Sequence, residues 1–240
     1  YEAYLKFRGV TPNTTSFYMR ILRAVYNRAV ESGAVEQCHP FRHVYTGVGK
    51  TAKRALSLSV IRKIKLLDLS ALPQADYARD MFMMSFYFRG MSFIDMAFLR
   101  KTDLRCGYIT YRRRKTGQTL VIKWTADMQE ILDKYAMNPT EYLLPIIISN
   151  GVADRVAYLR AGNHINYQLK KIAVMVGVTV PLTMYCARHS WASAARAKGV
   201  PVSIISEGMG HDSEATTRIY LEALDTSSVD KANDKILRSL

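Results

Sequence analysis

The amino-acid sequence predicts a mainly α fold: a small all-helical module, then a larger α+β domain carrying a small antiparallel sheet. Three observations carry that prediction. Apolar residues recur at helical spacing along most of the 240 residues. The period drops to two only in Gly107-Tyr108-Ile109-Thr110-Tyr111 and Thr119-Leu120-Val121-Ile122-Lys123-Trp124, which flank the hairpin signal Lys115-Thr116-Gly117-Gln118. A Gly-rich, basic stretch, Thr46-Gly47-Val48-Gly49-Lys50-Thr51, separates the first helical pattern from the rest.

In the first module, residues 1–45, Tyr4 and Phe7 open the helical spacing. Phe17, Ile21, Leu22, Val25, Tyr26, Ala29 and Val30 continue it to a stop at Ser32-Gly33. Asn13-Thr14-Thr15 reads as the N-cap of the longer helix, with Pro12 ahead of it. Residues 46–51 read as the interdomain linker. They lack the interval between Gly and Gly-Lys that a phosphate loop requires. The larger domain, 52–240, predicts helices over 59–69, capped by Ser57 or Ser59, and over 76–87 and 92–99. After the hairpin, helices are predicted over 126–135 and 163–176 and from Tyr185 onward.

Composition narrows the class. A 49% hydrophobic, 22% charged chain of this length builds a folded core rather than a disordered polymer. Uncharged apolar runs such as 142–148 fall far short of the ~18 residues that would span a bilayer. Cys38, Cys106 and Cys186 are odd in number and widely spaced, which argues against a disulfide framework or a zinc site and for a reducing compartment. The chain opens on Tyr1 without an initiator Met or a signal-peptide pattern, and so reads as a piece of something longer.

The net charge of +14 is concentrated. Between Gln37 and Leu67 lie seven cations (Arg42, Lys50, Lys53, Arg54, Arg62, Lys63, Lys65) and no acid. Between Leu104 and Ala126 lie six (Arg105, Arg112, Arg113, Arg114, Lys115, Lys123), again with none. Unmixed blocks attract polyanions and release counterions on contact, so nucleic acid is the natural partner. A membrane surface is the rival, but neither block forms an amphipathic helix with a Trp/Phe/Leu face.

The richest stretch is YCARHSWASAARAKGVPVSIISEGMGHDSEATTRIYLEAL, residues 185–224. Arg188-His189-Ser190-Trp191 opens an Ala-rich helical run that Gly199 ends. A second short run starts at Val202, and Gly210-His211 and Thr216-Thr217-x-x-Tyr220 follow. Singly, each residue has an ordinary structural reading; jointly, the stretch resembles the C-terminal signature of the tyrosine recombinase, or phage integrase, family. The likeness is greatest to integrases of Bacteroides-type mobile elements.

What that resemblance implies is a mostly helical catalytic domain behind a helical core-binding domain that closes over the opposite face of double-stranded DNA. Tyr220 would attack a phosphodiester, Arg188 and His211 would bind the phosphate, and Lys115 on the hairpin would protonate the departing 5′ oxygen. His189 more naturally braces local structure. Guanidinium suits the charge that develops on phosphorus, because its planar fork binds two oxygens and stays ionised. The 3′-phosphotyrosyl product conserves bond energy, so neither ATP, metal nor any other cofactor is implied. The implied setting is the bacterial cytoplasm, on the nucleoid, with a homotetramer on paired DNA sites.

Two positions depart from the family pattern. In Arg89-Gly90-Met91-Ser92-Phe93-Ile94-Asp95, Ser92 stands where the first catalytic arginine is usual. Arg113, which the pleat places on the face of Tyr111 and Lys115, or Arg89 would replace it. Tyr185 stands where the His-x-x-Arg motif has histidine; its hydroxyl donates a hydrogen bond but exchanges no proton readily near neutrality. Candidate DNA contacts are Arg20, Arg23 and Arg28 on the first helix pair, Lys50, Lys53 and Arg54 in and after the linker, and Arg112 and Arg114 on the hairpin's other face. A type IB topoisomerase would share this chemistry, and a catalytically silent DNA-binding regulator would share the charge. After Tyr220, residues 227–240 predict a short amphipathic helix that must dock on a hydrophobic surface.

Overall fold

The computed structural model describes residues 1–49, 55–148 and 151–221, without the side chains of Ile219 and Tyr220. Lys50, Lys53, Arg54 and the 227–240 segment lie outside the described residues. The chain divides into two compact units, Tyr1–Ala52 and Lys53–Leu240.

The first unit holds α1 (Glu2–Phe7) and α2 (Pro12–Glu31). The helix start differs from the sequence reading: Thr11 is the N-cap and Pro12 occupies the first turn, where its missing N–H costs nothing. Asn13 is thereby free for another task. Its side chain accepts from Gly49 N at 2.7 Å and donates to Gly49 O at 3.1 Å, tying the start of the predicted linker to α2. Among the described residues of this unit Leu5 and Met19 are the buried hydrophobic ones, while Phe7 is 88% exposed and Phe17, Ile21 and Val25 form an exposed stripe on α2.

In the second unit, Ser57 caps α3 (Leu58–Leu66) by accepting from Val60 N. The next helix, α4 (Pro73–Tyr87), is buried nearly all round, with Met81, Phe82, Met83 and Met84 in consecutive buried positions, as befits a helix at the centre of a domain. Its one deeply buried charge, Asp80, accepts from Tyr135 Oη and pairs with Arg79 and Lys134. Ser92 caps the short α5 (Phe93–Ala97).

The sheet follows: β1 (Leu104–Arg105), β2 (Tyr108–Arg112) and β3 (Thr119–Lys123), antiparallel throughout in the order β1-β2-β3. Register pairs Tyr111 with Leu120 and Arg112 with Thr119. The predicted hairpin is present, and β1 adds a strand too short to leave a periodic trace. Then come α6 (Ala126–Asp133), α7 (Asp154–Met175), α8 (Met184–Ala197), α9 (Val202–Met209) and α10 (Glu214–Leu221). The structure starts α7 nine residues before the predicted position, and its first turns pack Ala157, Tyr158 and Ala161 against the core.

Packing sets where the chemistry sits. Buried α4 contacts α6, α7 and α8, forming the main core. A separate small cluster, Ala192, Ile205, Met209 and Leu221 with Trp191 against it, joins α8, α9 and α10. At roughly 1.5–3 kcal/mol per buried large side chain, it stabilises the placement of α9 and α10 against α8. Arg196 Nη1 adds a bond of 3.0 Å to Leu221 O at the end of α10.

Candidate active site

Arg188 lies one turn into α8 and is 4% exposed. It gets there because Gly90 lets the α8 backbone approach: a Cβ at Gly90 would lie 2.7 Å from Arg188 Cα, and Gly90 has φ +73 besides. The buried guanidinium donates from Nη1 to Gly90 O at 2.7 Å. From Nη2 it donates to Met209 O at 2.7 Å and to His211 Nε2 at 2.9 Å. Burial, with Arg113 beside it, lowers its pKa to about 10, so it keeps its charge at neutral pH.

Arg113 arrives from the end of β2. The hairpin turn is closed by Arg113 N donating to Gln118 O and Gly117 N donating to Arg113 O, both at 2.8 Å. The strand's alternation then buries Tyr111 and Arg113 while Arg112 and Arg114 face solvent. Arg113 Nη1 donates to Gly210 O, and its Nε lies 4.0 Å from the buried Asp95. Two guanidiniums therefore converge on the C-terminal carbonyls of α9, the negative end of that helix, which Gly210 caps in the left-handed conformation. Asp95 also accepts from Ser92 Oγ at 2.6 Å and Arg114 N at 2.9 Å. Ser92, at the position of the missing arginine, is thus engaged in capping α5 and holding Asp95.

The alternative replacement, Arg89, has φ +57, an uncommon conformation for a residue with a Cβ. A Cβ at Gly208 would lie 3.7 Å from its Cδ, so its stem runs beside α9. Among the described residues its guanidinium has no hydrogen-bond or ion-pair partner, in contrast to Arg188 and Arg113.

His211 follows Gly210. Its Nδ1 lies 2.7 Å from the fully buried Thr217 Oγ1, and Nε2 faces Arg188. A guanidinium only donates, so Nε2 must accept; the imidazole is neutral and carries its proton on Nδ1. Burial, then the charges of Arg188, Arg113 and Lys115, lower its pKa to about 4. In this arrangement His211 accepts at Nε2.

The other candidates occupy the rim or lie apart. Lys115 is exposed in the hairpin turn, beyond the strand pleat but within electrostatic reach of His211. Tyr185 is exposed and its ring meets that of His189 edge-on at 4.6 Å. A groove of about 480 Å³ bordered by Ser92, Asn163, Tyr185 and Arg188 adjoins the cluster. Arg112 donates to Gly117 O at 2.9 Å, and Arg114 stacks 3.9 Å over Phe98. Arg20, Arg23 and Arg28 are exposed on α2 within an arc of about 140°; Arg23 donates to Thr46 Oγ1 at 2.9 Å. The backbone of Tyr220 lies on α10, three residues after Thr217.

Sequence reasoning missed Tyr111, Asp95, Thr217 and the α9 carbonyls. Tyr111 reads as a core aromatic on an alternating strand, yet it lies among Asp95, Arg188, Arg113 and Arg89, and burial raises its pKa so that it stays a phenol. Only Thr217 had a legible signal, its interval of three before Tyr220.

No protein-family model matches the chain. A tyrosine recombinase of Pseudothermotoga lettingae is 24% identical over 177 residues, which is 70% of this chain and 57% of that protein. The tyrosine recombinase XerA of Thermococcus kodakarensis is 25% identical, over 91% of this chain and 73% of its own length. The Tn1549 transposon integrase, solved in complex with a circular intermediate DNA, superposes with a TM-score of 0.71 at 15% identity, over 98% of this chain and 82% of that one. The fold is that of the tyrosine recombinases. The family resemblance carried by residues 185–224 is thus matched by relatives that bear the family name along most of the chain. The chain spans little more than half the length of the Pseudothermotoga tyrosine recombinase. No helix among the described residues is long and apolar enough to cross a membrane.

Proposed function

We propose that this chain is a site-specific DNA recombinase that cleaves and rejoins strands through a 3′-phosphotyrosyl intermediate on Tyr220. One observation carries the reading: two buried guanidiniums, from Arg188 and Arg113, and a neutral imidazole, from His211, converge at the end of α9, and the next helix bears Tyr220. Such a preorganised cationic pocket stabilises the charge that develops on nonbridging phosphate oxygens. Arg188 and Arg113 hold the phosphate, with Arg89 as the competing arginine; Lys115, on the rim, protonates the leaving 5′ oxygen; Tyr185 donates a hydrogen bond. The exposed cations of α2 and the hairpin, with Lys50, Lys53 and Arg54, grip double-stranded DNA. Assembly is as a homotetramer on paired sites. Within the family, the signature supports a Bacteroides-type mobile-element integrase acting on the nucleoid.

Covalent capture on a nicked suicide substrate tests this directly. The wild-type chain should trap as a protein–DNA adduct, and Tyr220→Phe should bind the same DNA and trap none. An adduct from Tyr220→Phe would mean that another residue is the nucleophile. Joining of strands from two duplexes, rather than relaxation of one, marks a recombinase as opposed to a topoisomerase.

A further inference from the structure

The bond from His211 to Thr217 is the part of the cluster that the phosphate-binding role leaves unused. Thr217 is fully buried on α10, and its Oγ1 lies 2.7 Å from Nδ1; on the imidazole's other edge Nε2 is 2.9 Å from Arg188 Nη2. We propose that Thr217 is a positioning residue that locks His211 as the Nδ1–H imidazole, so that Nε2 enters the reaction as a lone pair and takes the proton of the attacking tyrosine. This rests on the recombinase reading above.

The chemistry closes. The cations that act on His211, Arg188 from α8 and Arg113 and Lys115 from the hairpin, together with burial keep the ring neutral before DNA binds, and the negative charge of an entering phosphodiester offsets them when Nε2 takes up a proton. A scissile phosphate that engages Arg188 draws Nη2 away and leaves Nε2 as a base in the pocket. As the Oη–P bond forms, the phenol proton passes to Nε2. As the P–O5′ bond breaks, Lys115 supplies a proton to O5′. Religation returns both protons. The role would otherwise be vacant, because Tyr185 stands where a histidine could have served. Thr217 precedes Tyr220 by three residues on α10, so the same bond that fixes the tautomer also anchors the helix that carries the nucleophile.

The test uses the full chain. Nitrogen NMR of 15N-histidine protein, with the His211 signals assigned by their loss in His211→Gln, should show a protonated Nδ1 and a bare Nε2. Thr217→Ser should keep that tautomer and cleave the suicide substrate within about threefold of wild type. Thr217→Val should lose the single tautomer and cleave roughly 10- to 100-fold more slowly at unchanged DNA affinity, part of what a positioned base contributes. Its rate should also show a displaced acid limb in the pH profile. A wild-type spectrum with the proton on Nε2 overturns the inference, however the variants fold. So does a Thr217→Val protein that cleaves at the wild-type rate with an unshifted profile. A wild-type chain that forms no adduct sinks the recombinase reading instead, and the spectrum still reports on the lock.

Discussion

The cations around the candidate site fall into two sets that meet at the hairpin. Arg113 and, across from it, Arg188 are buried and bonded to carbonyls at Gly90, Met209 and Gly210. Arg112, Arg114 and Lys115, their neighbours in sequence, face solvent. One residue of pleat separates a guanidinium held in fixed geometry from one that contributes mainly to a field. Equal formal charge therefore does unequal work: the buried set shapes a pocket where electrostatic effects are large, and the exposed set raises a field that acts on any polyanion from a distance at a strength that salt controls.

The widest test of that division is Arg188→Ala. It removes a charged donor from the pocket and strips Gly90 O and Met209 O of their partner, so adduct formation should drop by roughly three orders of magnitude, with a lowered Tm. Unchanged cleavage would place the reaction elsewhere. Next is the pair on the hairpin. Arg113→Ala should cut single-turnover cleavage by roughly two or more orders of magnitude, and Arg112→Ala should mainly weaken binding. Equal, mild defects for both, with a severe one for Arg89→Ala, would make Arg89 the phosphate clamp and reduce Arg113 to a brace.

The exposed set predicts smaller effects. Half-site affinity should fall linearly on a log–log plot against salt. Replacing Arg20 or Arg28 by Ala should reduce that slope by about one each without altering the cleavage rate of bound complexes. A slope that does not move would take α2 out of the DNA contact. The slightest effect concerns pH. Unfolded, His211 takes up a proton near its ordinary value of 6.5, and folded it resists protonation to about 4. Between those values the unfolded chain binds more protons, so stability falls as pH drops through that window. Thermal melts at stepped pH should show this decline, and His211→Gln should flatten part of it.

How far the sequence foretold all this follows the same division. The hairpin and the division of Arg113 from Arg112 by face come from a period of two, a strong local signal. The Arg188, His211 and Tyr220 intervals were legible because residue type and spacing carry them. What escaped is nonlocal or made of backbone: the α9 carbonyls have no side chain to read, and the partners of Asp95 at Arg113 and Arg114 lie 18 and 19 positions away. The partner of Asn13 lies 36 positions away at Gly49, so a plausible helix cap turned out to be a clasp. On α2 the apolar period correctly announced a helix, but Phe17, Ile21 and Val25 remain uncovered, because periodicity reports which face is apolar and not what lies against it.

The anchoring of both guanidiniums to the end of α9 also bears on synthesis. Gly90 and Arg113 leave the ribosome long before Met209 and Gly210, and a buried guanidinium without its carbonyl acceptors is costly. The pocket therefore cannot close on the growing chain until about residue 210 has emerged, and Thr217 and Tyr220 follow within a few more amino acids. Pocket closure and the residue proposed as nucleophile therefore become available within about ten residues of synthesis of each other, well after the basic surfaces of the hairpin.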